Sequence, residues 1–168
     1  MNRVVFFGNS GSGKSSSARK FAKESHHPHL DLDEVAWKQS EPSVRHSIQE
    51  SVSAIDAFCN INPCWIIEGC YASLISKAVQ EASVLYFMNV GIETCISNCK
   101  ARPWEPGKYP NREAQDKNLQ MLIDWVKQYE IRSDDYSLHL HRDIYDKFRG
   151  RKFEITSNAK ASQLRLLV

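Results

Sequence analysis

The chain lacks any apolar run approaching the ~20 residues that a membrane-crossing helix needs, so no span through a bilayer is expected. It lacks a C-x-x-C pair, and its five cysteines, Cys59, Cys64, Cys70, Cys95 and Cys99, are odd in number. Cys95 and Cys99 stand one helical turn apart beside Ile92 and Ile96. That spacing suits small apolar packing on a buried face better than a zinc or redox site. His26, His27 and His29 surround Pro28 and read as a solvated connector rather than a metal cluster. The chain also has little net charge, +2. A basic stripe is therefore missing, and neither nucleic acid nor an anionic membrane is expected as a partner. No internal repeat, low-complexity tract or interdomain linker breaks the sequence. Its 168 residues suit one domain, 1–168, with a substantial core. The N-terminus runs directly into the first apolar stretch, which leaves no room for a signal peptide, and a cytoplasmic protein is expected.

What the chain does have is Gly8-Asn9-Ser10-Gly11-Ser12-Gly13-Lys14-Ser15, which fits G-x-x-x-x-G-K-[ST], the P-loop or Walker A pattern. Glycines let the backbone wrap closely around a phosphate with successive N–H groups pointing inward. Lys14 reaches the β- and γ-phosphates, the Ser15 hydroxyl binds Mg²⁺, and Ser16 lies in the helix turn aimed at the same charge. The motif has meaning only between a strand and a helix. Val4-Val5-Phe6-Phe7 before it reads as a buried parallel strand. Ala18, Phe21 and Ala22 after it are at helical spacing.

Strand and helix then alternate. Strands are expected near Arg3–Phe7, His29–Leu32, Trp65–Ile67, Val84–Met88 and Lys152–Thr156. Helices are expected near Gly13–Ser25, from Ser40-Glu41-Pro42 through Phe58, around Leu74–Val79, from Ile92 to Arg102, along Leu119–Tyr129, near Asp134–Phe148, and after Ser157. Five short strands separated by helices predict an α/β fold, a five-stranded parallel sheet with helices on both faces. Ligands in such sheets bind at the carboxyl ends of the strands. Those ends carry Gly8–Ser15, Asp33 and Glu68, which are expected to converge.

Asp31 and Asp33 flank Leu32, and on a strand they share a face. Asp33, further toward the carboxyl end, is the candidate to orient an acceptor hydroxyl or to help hold Mg²⁺. For Asp31 the alternative is a cap at the strand end. Glu68 closes the apolar run Cys64-Trp65-Ile66-Ile67 at the position of a Walker B acid, and with Ser15 and Asp33 completes the candidate metal set. Pro103 to Pro110 holds three prolines and a glycine and cannot be regular structure. The segment 102–112 is a candidate lid, with Arg102, Lys108 and Arg112 as cations for the transferring phosphoryl group and Trp104 and Tyr109 as covers. The alternative is a proline-braced surface loop.

On these residues the chain resembles small P-loop kinases of the adenylate kinase and shikimate kinase type. It is most similar to the adenylate-kinase-related proteins labelled DNA topology modulation protein FlaR. The P-loop carries this resemblance together with two further stretches. His29-Leu30-Asp31-Leu32-Asp33-Glu34-Val35-Ala36-Trp37 is similar to that group's H-x-D-x-L-x-W. Trp65-Ile66-Ile67-Glu68-Gly69-Cys70-Tyr71 is similar to its W-I-x-D-G-N-Y, with Glu68 in place of Asp and Cys70 in place of Asn. The resemblance implies an ATP- and Mg²⁺-dependent phosphotransferase acting on a nucleotide or small hydroxyl-bearing metabolite, as a monomer or homodimer. Lys14, Asp33 and Arg102 would be catalytic, and the acceptor would lie between the helix after Asp33 and the Gly69–Tyr71 turn. A second reading is an ATP-binding regulatory or switch protein with slow hydrolysis. The N-K-x-D motif by which GTPases read guanine does not occur.

Overall fold

A computed structural model describes residues 2–38, 41–106 and 109–164. In chain order the elements are β1 (Arg3–Gly8), α1 (Lys14–Ser25), β2 (His29–Asp31), α2 (Leu32–Ala36), β3 (Trp37–Lys38), β4 (Glu41–Arg45), α3 (Ile48–Ile61), β5 (Trp65–Gly69), α4 (Ala72–Ala78), β6 (Val84–Met88), α5 (Ile92–Ala101) and α6 (Arg112–Lys127). A 3₁₀ turn over Gln128–Glu130 follows, then α7 (Leu138–Lys147), β7 (Arg151–Ile155) and α8 (Asn158–Ser162).

Strands β2, β5, β1, β6 and β7 form, in that order, a fully parallel sheet, and β3 and β4 form a separate antiparallel pair. Alternate residues of β1 serve opposite faces, as strand geometry requires. Val5 and Phe7 pack with Leu30, Ile67, Leu85 and Phe87 beneath α3, α4 and α7. Val4 and Phe6 pack with Ile66, Tyr86 and Met88 against Ala18 and Phe21 of α1. Aromatic rings stack across neighbouring strands, Phe6 on Tyr86 with centroids 4.7 Å apart and Phe7 on Phe87 at 4.9 Å. Cys95 and Cys99 are buried with Ile96, Ile123 and Val126 where α5 meets α6, which is the packing role their spacing suggests. Among the described residues no helix is long and apolar enough to cross a membrane.

Two sequence expectations fail in the region between β2 and α3. Strand β2 stops at Asp31, and Leu32 to Ala36 turn into a short helix whose N-cap is Asp31, its Oδ1 accepting the Asp33 N–H at 3.0 Å. The helix expected from Ser40-Glu41-Pro42 does not start there. Glu41–Arg45 is a strand, and Ser40 lies outside the described residues. The true N-cap is Ser47, whose Oγ accepts the Glu50 N–H while the Glu50 carboxylate accepts the Ser47 N–H at 2.7 Å. This reciprocal capping box, S-x-x-E at 47–50, outcompetes a proline start because it satisfies two otherwise orphaned donors. Helix α6 starts at Arg112 behind the cap Asn111, seven residues before the expected Leu119, and the other boundaries fall within a few residues of expectation, α7 starting at Leu138 behind the cap Ser137.

The turn into α2 seats directly on β5. A Cβ added at Gly69 would stand 2.7 Å from Leu32 Cδ1 and 2.8 Å from Leu32 Cβ, and Leu32 is fully buried. Only a bare Cα lets α2, and with it Asp33, approach the end of β5 this closely. Gly69→Ala is expected to destabilise the protein by ~1–3 kcal/mol through overpacking. Urea unfolding measures this, and wild-type stability in the variant would mean that α2 is not seated there.

Candidate active site

The strand order puts the carboxyl ends of β1, β5 and β2 side by side. Phe6 pairs with Glu68, and Glu68 with Asp31. Above them opens a cleft of about 1130 Å³, lined by the P-loop, by Asp31, Asp33, Glu68, Cys70 and Tyr71, and on the far side by Arg102 to Pro106. The P-loop thus leaves a strand and enters a helix as its pattern requires. Gly13, the N-cap of α1, has φ +86°, and a Cβ there would meet nothing within 4 Å. The loop is open on the side where a phosphate would sit, and only glycine takes that backbone angle without strain.

Lys14 is half-buried in the cleft wall. Burial alone would lower its pKa, but Cys70, Glu68, Asp33 and Asp31 together outweigh it and raise the ammonium's pKa. Glu68 is buried, and among the described residues its carboxylate has no well-formed hydrogen bond, the Ser15 hydroxyl being the donor that stands nearby. Burial pushes its pKa up to about 7, with Asp31 and Asp33 adding to the shift; Lys14 and the nearby Ser15 hydroxyl pull the other way. A buried carboxylate short of hydrogen bonds is costly unless a cation or donor completes it. That carboxylate, with Ser15 on the same wall, fits the oxygen donor set of Mg²⁺.

Asp33 is in the first turn of α2, so the strand argument for its facing with Asp31 does not hold, yet both side chains line the cleft. The Tyr71 hydroxyl donates to Asp33 Oδ1 at 2.6 Å and accepts from Trp37 Nε1 at 2.7 Å. Burial and then the Asp33 charge hold the Tyr71 phenol protonated. Trp37, Tyr71, Trp125 and Tyr136 make this end of the cleft aromatic. Two arginines lie over those rings. The Arg45 guanidinium is 5.5 Å from the Trp37 centroid and 5.1 Å from that of Tyr71. Arg132 is 4.2 Å from that of Trp125, and its Nε and Nη1 are buried without a hydrogen bond, the Asp134 carboxylate standing 3.3 Å away outside hydrogen-bond geometry. Sequence reasoning missed both arginines: Arg45 ends the unexpected strand β4 and Arg132 follows the 3₁₀ turn, and no motif marks either.

Several predicted site residues have other duties. Asn9 is buried, its amide donating to Val126 O at 3.1 Å and its Oδ1 accepting the Ser10 N–H, so its side chain braces the loop from behind. Gly8 and Ser12 are likewise buried behind the loop, and the Ser12 hydroxyl has no partner. Ser10, Gly11, Ser15 and Ser16 line the cleft. Arg102 lines it too, but its Nη1 donates to Glu105 at 3.1 Å. Arg112 turns to Asp116 on its own helix, Trp104 Nε1 bonds the Tyr109 carbonyl at 3.1 Å, and Lys108 lies outside the described residues.

The Glu68 shift has a stability consequence. The folded protein keeps a proton on Glu68 that the unfolded chain releases near 4.5. Stability from this group is therefore full below that value and lost as pH rises through about 7. Thermal midpoints measured from about pH 5 to about pH 8 should fall more steeply in wild type than in Glu68→Gln, and Mg²⁺ should recover part of the wild-type loss. Parallel curves for the two proteins would show that Glu68 ionises freely.

No protein-family model matches the chain, and no curated protein does. Solved structures do. A shikimate kinase from Acinetobacter baumannii, in complex with shikimate, superposes with a TM-score of 0.55 at 12% identity, over 96% of this chain and 88% of the other. A gluconokinase from Sinorhizobium meliloti superposes with a TM-score of 0.54 at 13% identity, over 95% of this chain and 89% of the other. At such identities the likeness is one of fold, and the fold of this chain is that of these small P-loop kinases: a five-stranded parallel sheet with helices on both faces.

Proposed function

We propose that the protein is a small P-loop kinase that moves the γ-phosphoryl group of ATP onto a small hydroxyl-bearing acceptor. The observation that carries this reading is the buried Glu68 carboxylate, short of hydrogen bonds and set beside Lys14 and Ser15 at the mouth of an open P-loop. A merely structural strand–helix turn has no need of such a pair. In this reading Lys14 and the loop amides bind the phosphates, and Ser15 and Glu68 would hold Mg²⁺, which would supply charge neutralisation to the transferring phosphoryl group. Asp33, held by Tyr71, orients the acceptor hydroxyl and takes its proton. That hydrogen bond favours the acceptor role of Asp33 over its role as a metal ligand. Arg102 leaves Glu105 to neutralise charge on the transferring group.

The aromatic end of the cleft, with Arg45 and Arg132 over its rings, suits an acceptor with an apolar face and a negative group. The similarity to the FlaR-labelled, adenylate-kinase-related group rests on the P-loop together with His29–Trp37 and Trp65–Tyr71. A nucleoside monophosphate therefore belongs in the acceptor panel beside shikimate, gluconate and other hydroxy acids. The switch reading finds some support in the Arg102–Glu105 pair, which keeps the candidate phosphoryl clamp occupied. Acceptor dependence separates the two. ADP release should rise ~10-fold or more with one member of the panel, whereas a switch would hydrolyse ATP slowly whatever is added.

Two substitutions test the roles. Lys14→Ala should abolish tight binding of Mg²⁺·ATP, read by calorimetry, with the fold retained; unchanged affinity would remove the P-loop reading. Arg102→Lys should lower kcat by ~10-fold or more with little change in ATP affinity, because a planar guanidinium matches the spread charge of the transition state better than an ammonium. If Arg102 only steadies the turn through Glu105, turnover will be unchanged and thermal stability alone will move.

A further inference from the structure

His141 is fully buried in α7, far from any motif in the sequence. Its Nε2 lies 3.0 Å from the Cys70 carbonyl oxygen, and its Nδ1 lies 2.8 Å from the Tyr129 hydroxyl. A carbonyl only accepts, so Nε2 carries the proton and Nδ1 accepts from Tyr129. Burial lowers the ring's pKa to about 4, which keeps it neutral at physiological pH. Phe7 meets the ring edge-on at 5.5 Å, so its plane is fixed as well as its polarity.

The residue it holds sits between two groups of the candidate site. Cys70 follows Glu68 and Gly69 and precedes Tyr71, whose hydroxyl binds Asp33. The rest of that turn is held from the same direction. Asp135 accepts the Ala72 N–H on its carbonyl at 2.7 Å, and its carboxylate accepts the Ser73 N–H at 2.7 Å and the Ser73 hydroxyl at 2.9 Å. The end of α6 that leads into this segment is tied to the P-loop by Asn9, through Val126 O. Residues 126–141 therefore clasp the phosphate loop at one end and the acceptor-side turn at the other.

We infer that Tyr129 and His141 are a positioning pair for the active site: through the Cys70 carbonyl they fix the Glu68–Tyr71 turn relative to the P-loop. The inference rests on the kinase reading for the turn's purpose, but its geometry stands independently. A core ring would serve packing equally well as phenylalanine. What histidine adds is one donor and one acceptor on opposite sides of a single rigid plane, and both are used. Neither partner touches the cleft, so the pair acts only through the turn.

The test is hydrogen exchange in the ligand-free protein, with the β7 amides as an internal control for global stability. In His141→Phe the amides of 69–73 should exchange ~10-fold faster while β7 is unchanged; His141→Gln, which keeps a donor and an acceptor, should restore the rates to within ~2-fold. Tyr129→Phe, which removes one hydroxyl, should give a smaller rise confined to the same residues and decides the matter if His141→Phe does not fold. The nitrogen shifts of His141 should report a protonated Nε2 throughout. Unchanged exchange at 69–73, an equal rise at β7, or the opposite tautomer would overturn the inference. Adding Mg²⁺ with a non-hydrolysable ATP analogue to wild type keeps the two claims apart. Absence of new protection at the P-loop would count against the kinase reading, while the ligand-free rates still judge the pair.

Discussion

Parallel pairing of β1 with β5 and of β5 with β2 is the constraint on which the site depends. The register joins Phe6 to Glu68 and Glu68 to Asp31, so the three strands end together. Because β1 and β5 are covered on both faces, their side chains are committed to packing, and only their carboxyl ends are free for chemistry. A one-residue slip of β5 would send Glu68 to the opposite face and Ile67 into the cleft. The apolar runs Val4–Phe7 and Trp65–Ile67 are thus what aim the acid, although none of their side chains bears a charge.

That placement concentrates unlike charges in a poorly solvated space. Lys14 is held charged by several acidic neighbours against the pull of burial, whereas Glu68 is pushed toward its neutral form by the same burial. The imbalance is one of partners. Lys14 faces acids on both β2 and β5, while Glu68 has one cation and two competing carboxylates. A site left short of positive charge in this way carries a cost for burying the acid that a bound cation would offset.

The parallel sheet and the strand–loop–helix around Gly8–Ser15 were legible in the sequence because each rests on a local pattern: apolar runs of strand length, and a glycine spacing with flanks that agree. The β3–β4 pair was not legible. Glu41-Pro42 satisfies the usual rule for a helix start, and the stronger capping box six residues later decides the outcome. Asp33 was placed on the right side of the sheet by a wrong argument, since a short helix and not a strand presents it. Arg45, Arg132 and His141 carry no local signature. Their roles arise from contacts between segments distant in sequence, such as Cys70 with His141, which composition and periodicity do not encode.

Burial of the cysteines bears on how the protein ages. The Cys70 and Cys95 thiols are pushed up to about 12, Cys59 to about 11, and Cys99 is raised as well. The thiolate is the form that peroxide and alkylating agents attack, and a thiol of pKa near 12 exposes only ~1 part in 10⁵ of it at neutral pH. Cys70, on the very wall of the cleft, is thereby held in its thiol form by burial. Its sulfur can stand beside Lys14 without becoming the weak point of the molecule under oxidative stress.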